Sequence, residues 1–287
     1  MIGAAVAFFG AAVAFAAPLS QQEACAKLSS AVVSIDAGGR GLGSGFLVSA
    51  DGVILTANHV VLDPTGQYYA AIDVELDSGE HVFAKPFIAL DLASVGQDYA
   101  FIKIEHKTPL PFLTLGSVAE AAIGADATII GYPFSALSSP GEHINRKFCL
   151  TATFASVGEK IVPMTGQQRA PNGRVVQLKQ DIRVDVIYFQ GPSVKGISGS
   201  PIIARDTGHV VGIVSTKLTG ISPALSDLKA ETANGMGGGI TISGLAPGKA
   251  INDIITVMDD QLANGLGSAT GIDDPYLAFR KAAAKKR

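Results

Sequence analysis

The 287 residues contain no tryptophan and only two cysteines, Cys25 and Cys149. So few thiols exclude a dense disulfide scaffold. Neither cysteine has a His or Cys at ligand spacing, so no metal is assigned. Charge is also scarce: charged residues make up 16% of the chain and the net charge is −3. Such a balance lacks the basic surplus of a nucleic-acid binder. No repeat period and no low-complexity tract is present. What the chain does hold is apolar residues (47%) and 33 glycines. That composition suits a β-rich protein with many turns, and its length fits one long domain or two small ones.

The N-terminus is uncharged from Ile2 to Leu19, rich in Ala, Val and Phe, and carries the small-x-small sequence Ala14-Phe15-Ala16. This reads as a signal peptide over 1–16, with the mature chain starting near Ala17 and the protein exported to the periplasm or secreted. The n-region lacks Lys and Arg, which departs from the pattern. An uncleaved membrane anchor is the alternative, since the run sits at the lower limit for spanning a bilayer. Export would permit one disulfide between Cys25 and Cys149. Two separate buried thiols fit the count equally well.

A polar lead, 17–30, leaves room for a helical turn within 20–30. Strand-like runs follow at Val32–Ile35, Gly45–Ser49, Val53–Thr56, Ile72–Leu76, His81–Leu90 and Ala100–Ile104, with Ala50-Asp51-Gly52 as a hairpin turn. After the Pro-containing stretch Thr108–Phe112, a second set runs Ala127–Gly131, Phe148–Val157, Val175–Leu178, Ile182–Phe189, Pro201–Ala204, Val210–Ser215 and Gly239–Ile242. Two β-barrels, 31–115 and 116–263, accommodate these runs. Ala250, Ile251, Ile254, Ile255, Met258 and Leu262 recur at helical spacing and predict a helix closing the second unit. The remainder, 264–287, is a linker ending in a basic tail.

The chemistry centres on Gly196-Ile197-Ser198-Gly199-Ser200-Pro201. Glycines on both sides of Ser198 let the backbone turn tightly around a hydroxyl and aim amide N–H groups at an attacked carbonyl. A nucleophilic hydroxyl needs a base, and neutral imidazole can take its proton near pH 7. His59, in Leu55-Thr56-Ala57-Asn58-His59-Val60-Val61, is the candidate. Asp98, in Asp98-Tyr99-Ala100-Phe101-Ile102-Lys103, would orient that imidazole and stabilise its charged form. Asp91 also starts a D-x-A sequence, but it leads into Ser94, Val95 and Gly96 rather than into an apolar strand.

The order His…Asp…Ser is that of chymotrypsin-like proteases rather than of subtilisins or α/β-hydrolases. With Gly43-Ser44-Gly45-Phe46, Asp51-Gly52 and Gly196–Pro201, the chain resembles the trypsin/chymotrypsin-like serine peptidases. Within them it is similar to the bacterial HtrA-type and glutamyl-endopeptidase-like branch. The resemblance covers roughly Ser29 to Ala263. It implies an all-β fold of two six-stranded antiparallel barrels with a C-terminal helix and the site in the crevice between them. It further implies a serine endopeptidase acting through His59, Asp98 and Ser198, with Gly196 and Ser198 supplying the oxyanion hole and no cofactor. Ile197 stands where pancreatic-type members place an aspartate, so activation by an ion pair with a freshly cut N-terminus is not available.

Substrate contacts are expected from Pro192, Ser215, Thr216 and Lys217. No acid lies on these walls, which argues against a preference for Arg or Lys. A small or aliphatic P1 residue is the first expectation, and an acidic one, drawn by Lys195 or Lys217, the second. The partner is then a protein or peptide substrate, with membrane contact only if the N-terminal segment is uncleaved. HtrA-type proteins usually carry a PDZ domain, and the last few dozen residues are too short for one, so no PDZ-mediated partner is implied. Two other classes compete: a catalytically silent binding module, and a membrane-tethered envelope-stress protease or chaperone.

Overall fold

The computed structural model describes residues 17–39, 42–63, 67–87, 98–133, 146–169, 175–192, 196–215 and 237–241. The expected N-terminal signal segment, the closing helix over 250–262 and the basic tail lie outside these residues. Among the described residues no helix is long and apolar enough to cross a membrane.

The polar lead folds into a helix, α1 (Gln21–Leu28). Ser20 caps it: its hydroxyl accepts from the Glu23 amide, and the Glu23 carboxylate accepts from the Ser20 amide. This reciprocal pair satisfies two of the donors that every helix start leaves open. Ala24 is its one buried residue, and the helix is stapled to the second barrel by a Cys25–Cys149 disulfide spanning 124 residues.

The first barrel consists of β1 (Val32–Ala37), β2 (Leu42–Leu47), β3 (Val53–Thr56), β4 (Ile72–Glu75), β5 (His81–Pro86) and β6 (Ala100–Ile104). Its strands close in the order β1-β2-β3-β6-β5-β4, all antiparallel. β4 alternates buried with half-buried residues, as a half-exposed strand should. β3 and β6 are buried at every position, so apolar residues run continuously along both. The exceptions are Thr56 at the end of β3 and Lys103, whose ammonium donates to the Asp51 carbonyl and lies 2.8 Å from the Asp51 carboxylate. That bond ties β6 to the turn joining β2 and β3. Asp51 loses solvation by burial, but the Lys103 and Ser49 hydrogen bonds outweigh it and hold its pKa below the usual value.

The second barrel consists of β7 (Asp126–Gly131), β8 (Phe148–Arg169), β9 (Val175–Gln190), β10 (Pro201–Ala204), β11 (His209–Val214) and β12 (Gly237–Thr241), closing in the order β10-β11-β12-β9-β8-β7. The two runs expected at 175–178 and 182–189 are one strand. Lys179-Gln180-Asp181 reads as a turn, yet it pairs with Thr165, Met164 and Pro163 in the middle of a two-stranded ribbon. Beyond Gly158 the ribbon's described side chains are exposed, which is why polar residues continue without ending the strand. Ile130, Tyr132, Val186, Ile203, Val210 and Ile213 pack in one cluster with the first barrel's Val33, Ile35, Leu47 and Leu55. One apolar cluster therefore crosses from the first barrel into the second, while the rest of the second barrel's core forms a cluster of its own around Phe154, Phe189 and Ile197.

Candidate active site

β3 and β6 run antiparallel, with Thr56 opposite Ala100. The chain leaving β3 and the chain entering β6 are therefore neighbours. Just past Thr56 comes a one-turn helix, α2 (Asn58–Val61), which carries His59. Two residues before Ala100 stands Asp98. Register alone brings this histidine and this aspartate to one end of the sheet.

Their contact is close. His59 Nδ1 lies 2.8 Å from Asp98 Oδ2 and 3.0 Å from Oδ1. The His59 amide donates to Oδ1 at 3.2 Å, and the Asn58 amide to the Asp98 carbonyl at 3.3 Å. Ser215 donates its hydroxyl to Oδ2. Asp98 is 3% exposed, so these donors replace the water that a carboxylate requires. With Nδ1 engaged by the carboxylate, Nε2 is the ring nitrogen left for proton transfer. Asp98 has φ 56°, the one left-handed non-glycine among the described residues. Aspartate tolerates that region better than most side chains.

Ser198 sits on the turn into β10. Gly196 and Gly199 both adopt positive φ, 99° and 85°. At Gly199 a side chain is excluded by space as well: a Cβ would meet the Ser44 carbonyl and the Thr56 hydroxyl, and come within 3.1 Å of the Ala57 amide. The nucleophile turn thus lies against Thr56 and Ala57, at the end of β3 and just before His59. It is braced from both barrels. The Ser44 amide of β2 donates to the Ser198 carbonyl at 2.8 Å, and the Gly199 amide to the Val214 carbonyl of β11 at 2.8 Å. Ile197 is fully buried in the second barrel's core. An aspartate there would be stranded in apolar surroundings, which gives a packing reason for the residue that distinguishes this turn from the pancreatic pattern.

Of the expected substrate-contact residues, Pro192 is half-buried near the end of β9. Ser215 is fully buried and its hydroxyl is given to Asp98, which leaves its main chain as the part a substrate could meet. Thr216, Lys217, Lys195 and the rival Asp91 lie outside the described residues. Among the described residues no three His, Cys, Asp or Glu side chains converge as a metal site would require.

Residues 43–213, a span that takes in His59, Asp98 and Ser198, match the family of the trypsin-like peptidase domain. The chain belongs to the trypsin-like peptidases. Among curated relatives of this trypsin-like peptidase, mouse serine protease HTRA4 is 34% identical over 186 residues, covering 64% of this chain and 32% of HTRA4. Bovine mitochondrial serine protease HTRA2 is 30% identical over 184 residues, covering 64% of this chain and 33% of the relative. The chain thus spans about a third of the length of these relatives. A solved structure of Rv3671c from M. tuberculosis H37Rv, a serine-to-alanine variant in an inactive form, superposes with a TM-score of 0.55 at 21% identity, over 85% of this chain and 97% of that one. That likeness concerns the fold.

Proposed function

We propose that this trypsin-like peptidase is an exported serine endopeptidase in which Ser198 is the nucleophile, His59 the general base and Asp98 the group that orients it. The observation that carries the reading is the Asp98 carboxylate, buried and presenting both oxygens to His59 Nδ1 at 2.8 and 3.0 Å. Geometry of this kind fixes the tautomer with the Nε2 lone pair available and stabilises the imidazolium formed on proton uptake. The Ser198 oxygen adds to the substrate carbonyl while its proton passes to His59. The carbonyl electron pair moves to oxygen and is met by the Gly196 and Ser198 amides. Collapse of the tetrahedral species breaks the peptide bond, and His59 returns the proton to the leaving amine. Water, activated by the same histidine, then hydrolyses the acyl-enzyme.

Export is supported by the apolar N-terminal run with its small-x-small sequence and by the disulfide, which persists in oxidising compartments. The absence of acid from positions 192 and 215–217 supports a small or aliphatic P1 residue, with an acidic one second. A fluorophosphonate probe, which modifies only an activated serine, tests the core of the proposal. It should label the protein with Ser198 as the modified residue, and Ser198→Ala should abolish labelling and peptide hydrolysis while leaving the circular dichroism spectrum unchanged. Labelling or hydrolysis undiminished in Ser198→Ala would remove this serine from the mechanism.

A further inference from the structure

Ser44 lies in β2 of the first barrel and is fully buried, yet all its polar groups are engaged with other elements. Its amide donates to the Ser198 carbonyl at 2.8 Å. Its carbonyl accepts the Thr56 hydroxyl at 2.7 Å. Its own hydroxyl oxygen accepts the Tyr132 amide, just past β7, at 2.9 Å and lies 2.8 Å from the Gly196 carbonyl. A hydroxyl has one proton. The Tyr132 amide supplies its own hydrogen and the Gly196 carbonyl can only accept, so the Ser44 proton is committed to Gly196.

This matters because of what Gly196 is. With φ 99° and no Cβ, it is one of the two left-handed glycines of the nucleophile turn, and it has no side chain of its own to fix the peptide planes on its two sides. The plane after it carries the Gly196 carbonyl; the plane before it carries the Gly196 amide, one of the two oxyanion donors in the reading above. Such a donor is worth most when it is already aimed where the negative charge develops. Ser44 grips the turn at two carbonyls, Gly196 through its hydroxyl and Ser198 through its amide. These flank the plane that bears the second donor, the Ser198 amide.

We propose that Ser44 is a positioning residue of the oxyanion hole, its hydroxyl linking the end of β7 to Gly196 and holding that glycine in the donor-forward orientation. The inference rests on the serine-endopeptidase reading. It predicts a loss confined to the charged transition state: ground-state substrate does not need the hole, so kcat should fall and KM should not.

The experiment compares the mature wild-type enzyme with Ser44→Ala and Ser44→Gly. Ser34→Ala serves as control, a serine equally buried in β1 whose hydroxyl has no partner. N-acetylalanine p-nitrophenyl ester reports kcat and KM, a fluorophosphonate probe reports nucleophile reactivity, and a peptide boronic acid reports affinity for a tetrahedral adduct. Both Ser44 variants should lose roughly tenfold to a hundredfold in kcat and in boronate affinity, somewhat less than removal of a donor itself, with KM within about twofold. Ser34→Ala should match wild type. Ser44 variants that fold and keep kcat within about twofold would overturn the proposal, as would a loss accounted for by their unfolded fraction or failure of both to fold. Those outcomes leave the peptidase reading standing if wild type is labelled and active. A wild-type protein that is neither labelled nor active removes both.

Discussion

Removing the Cys25–Cys149 bridge should destabilise the protein chiefly through its unfolded state. The bridge spans 124 residues, from α1 across the whole first barrel to β8. In the chain-entropy relation a closed loop of that length restricts the denatured chain by about 5 kcal/mol, an upper value because residual structure and strain reduce it. The native side loses less. α1 stays attached through Ala24, through the Thr128 hydroxyl donating to the Gln21 side chain at 2.8 Å, and through Lys147 donating to the Ser29 carbonyl at 2.7 Å. A net loss of about 2–4 kcal/mol is expected, which for a domain of this size lowers the thermal midpoint by roughly 4–16 °C. Scanning calorimetry of mature wild type, Cys25→Ala, Cys149→Ala and the double variant checks it. The three variants should melt together, because either substitution breaks the same bond and the effects cannot add. Wild type under reductant should join them. A shift below about 1 kcal/mol, or two free thiols by mass spectrometry of the exported protein, would refute the reasoning.

Asp98→Asn should lower kcat/KM by roughly 10⁴-fold with the fold intact, because asparagine accepts a positive φ but leaves His59 in the wrong tautomer. Asp98→Ala should in addition lower stability by about 1 kcal/mol through backbone strain, and Asp91→Asn should be nearly neutral in activity; a larger loss from Asp91→Asn would reassign the role. His81, mostly exposed, has its pKa raised first by the hydrogen bond from its Nδ1 to Asp73 at 2.7 Å, against slight desolvation. Since the folded value lies above the unfolded one near 6.5, this pair's small contribution is complete below that pH and is lost as pH rises through the folded pKa. An NMR titration of His81 should therefore have its midpoint above 6.5 and fall back in Asp73→Asn; an unchanged midpoint in that variant would show that Asp73 is not the cause.

Parts of the site were legible because local chemistry and tertiary role agree there. β3 and β6 follow the apolar runs of the sequence, since both faces of each strand are covered and only Thr56 and Lys103 depart from them. With those limits fixed, the positions of His59 and Asp98 follow from antiparallel register, since Asp98 stands two residues before β6. Ser215 shows the opposite case. Val210–Val214 is buried at every position, so alternation carries no information about which way the next side chain points. Its place beside the trypsin-like wall-strand pattern made it an expected substrate contact; only the three-dimensional structure turns its hydroxyl to Asp98. The positive φ of Asp98 likewise leaves no mark in composition, because aspartate is common wherever chains turn.

Glycine is where the sequence reading and the structure part most usefully. The abundance of glycine reads as many turns, and at Gly52 and Gly79 it is that. At Gly131, at the end of β7, a Cβ would collide with the Ser200 hydroxyl and press to 2.8 Å on the Ser44 hydroxyl. At Gly45, in the middle of β2, it would meet Ile35 Cδ1 at 2.7 Å and the Leu55 carbonyl at 3.3 Å. Neither glycine has a positive φ among those recorded for the chain, so neither is there for backbone freedom. Each is there because another strand or the nucleophile turn comes too near for a side chain. A site assembled from two barrels demands such approaches, since its amides and hydroxyls must come within hydrogen-bond distance across the seam. In the G-S-G of β2 the two glycines leave room on one face for Val60, Ile35 and Leu55, while the serine between them, on the other face, reaches the Gly196 carbonyl with its hydroxyl.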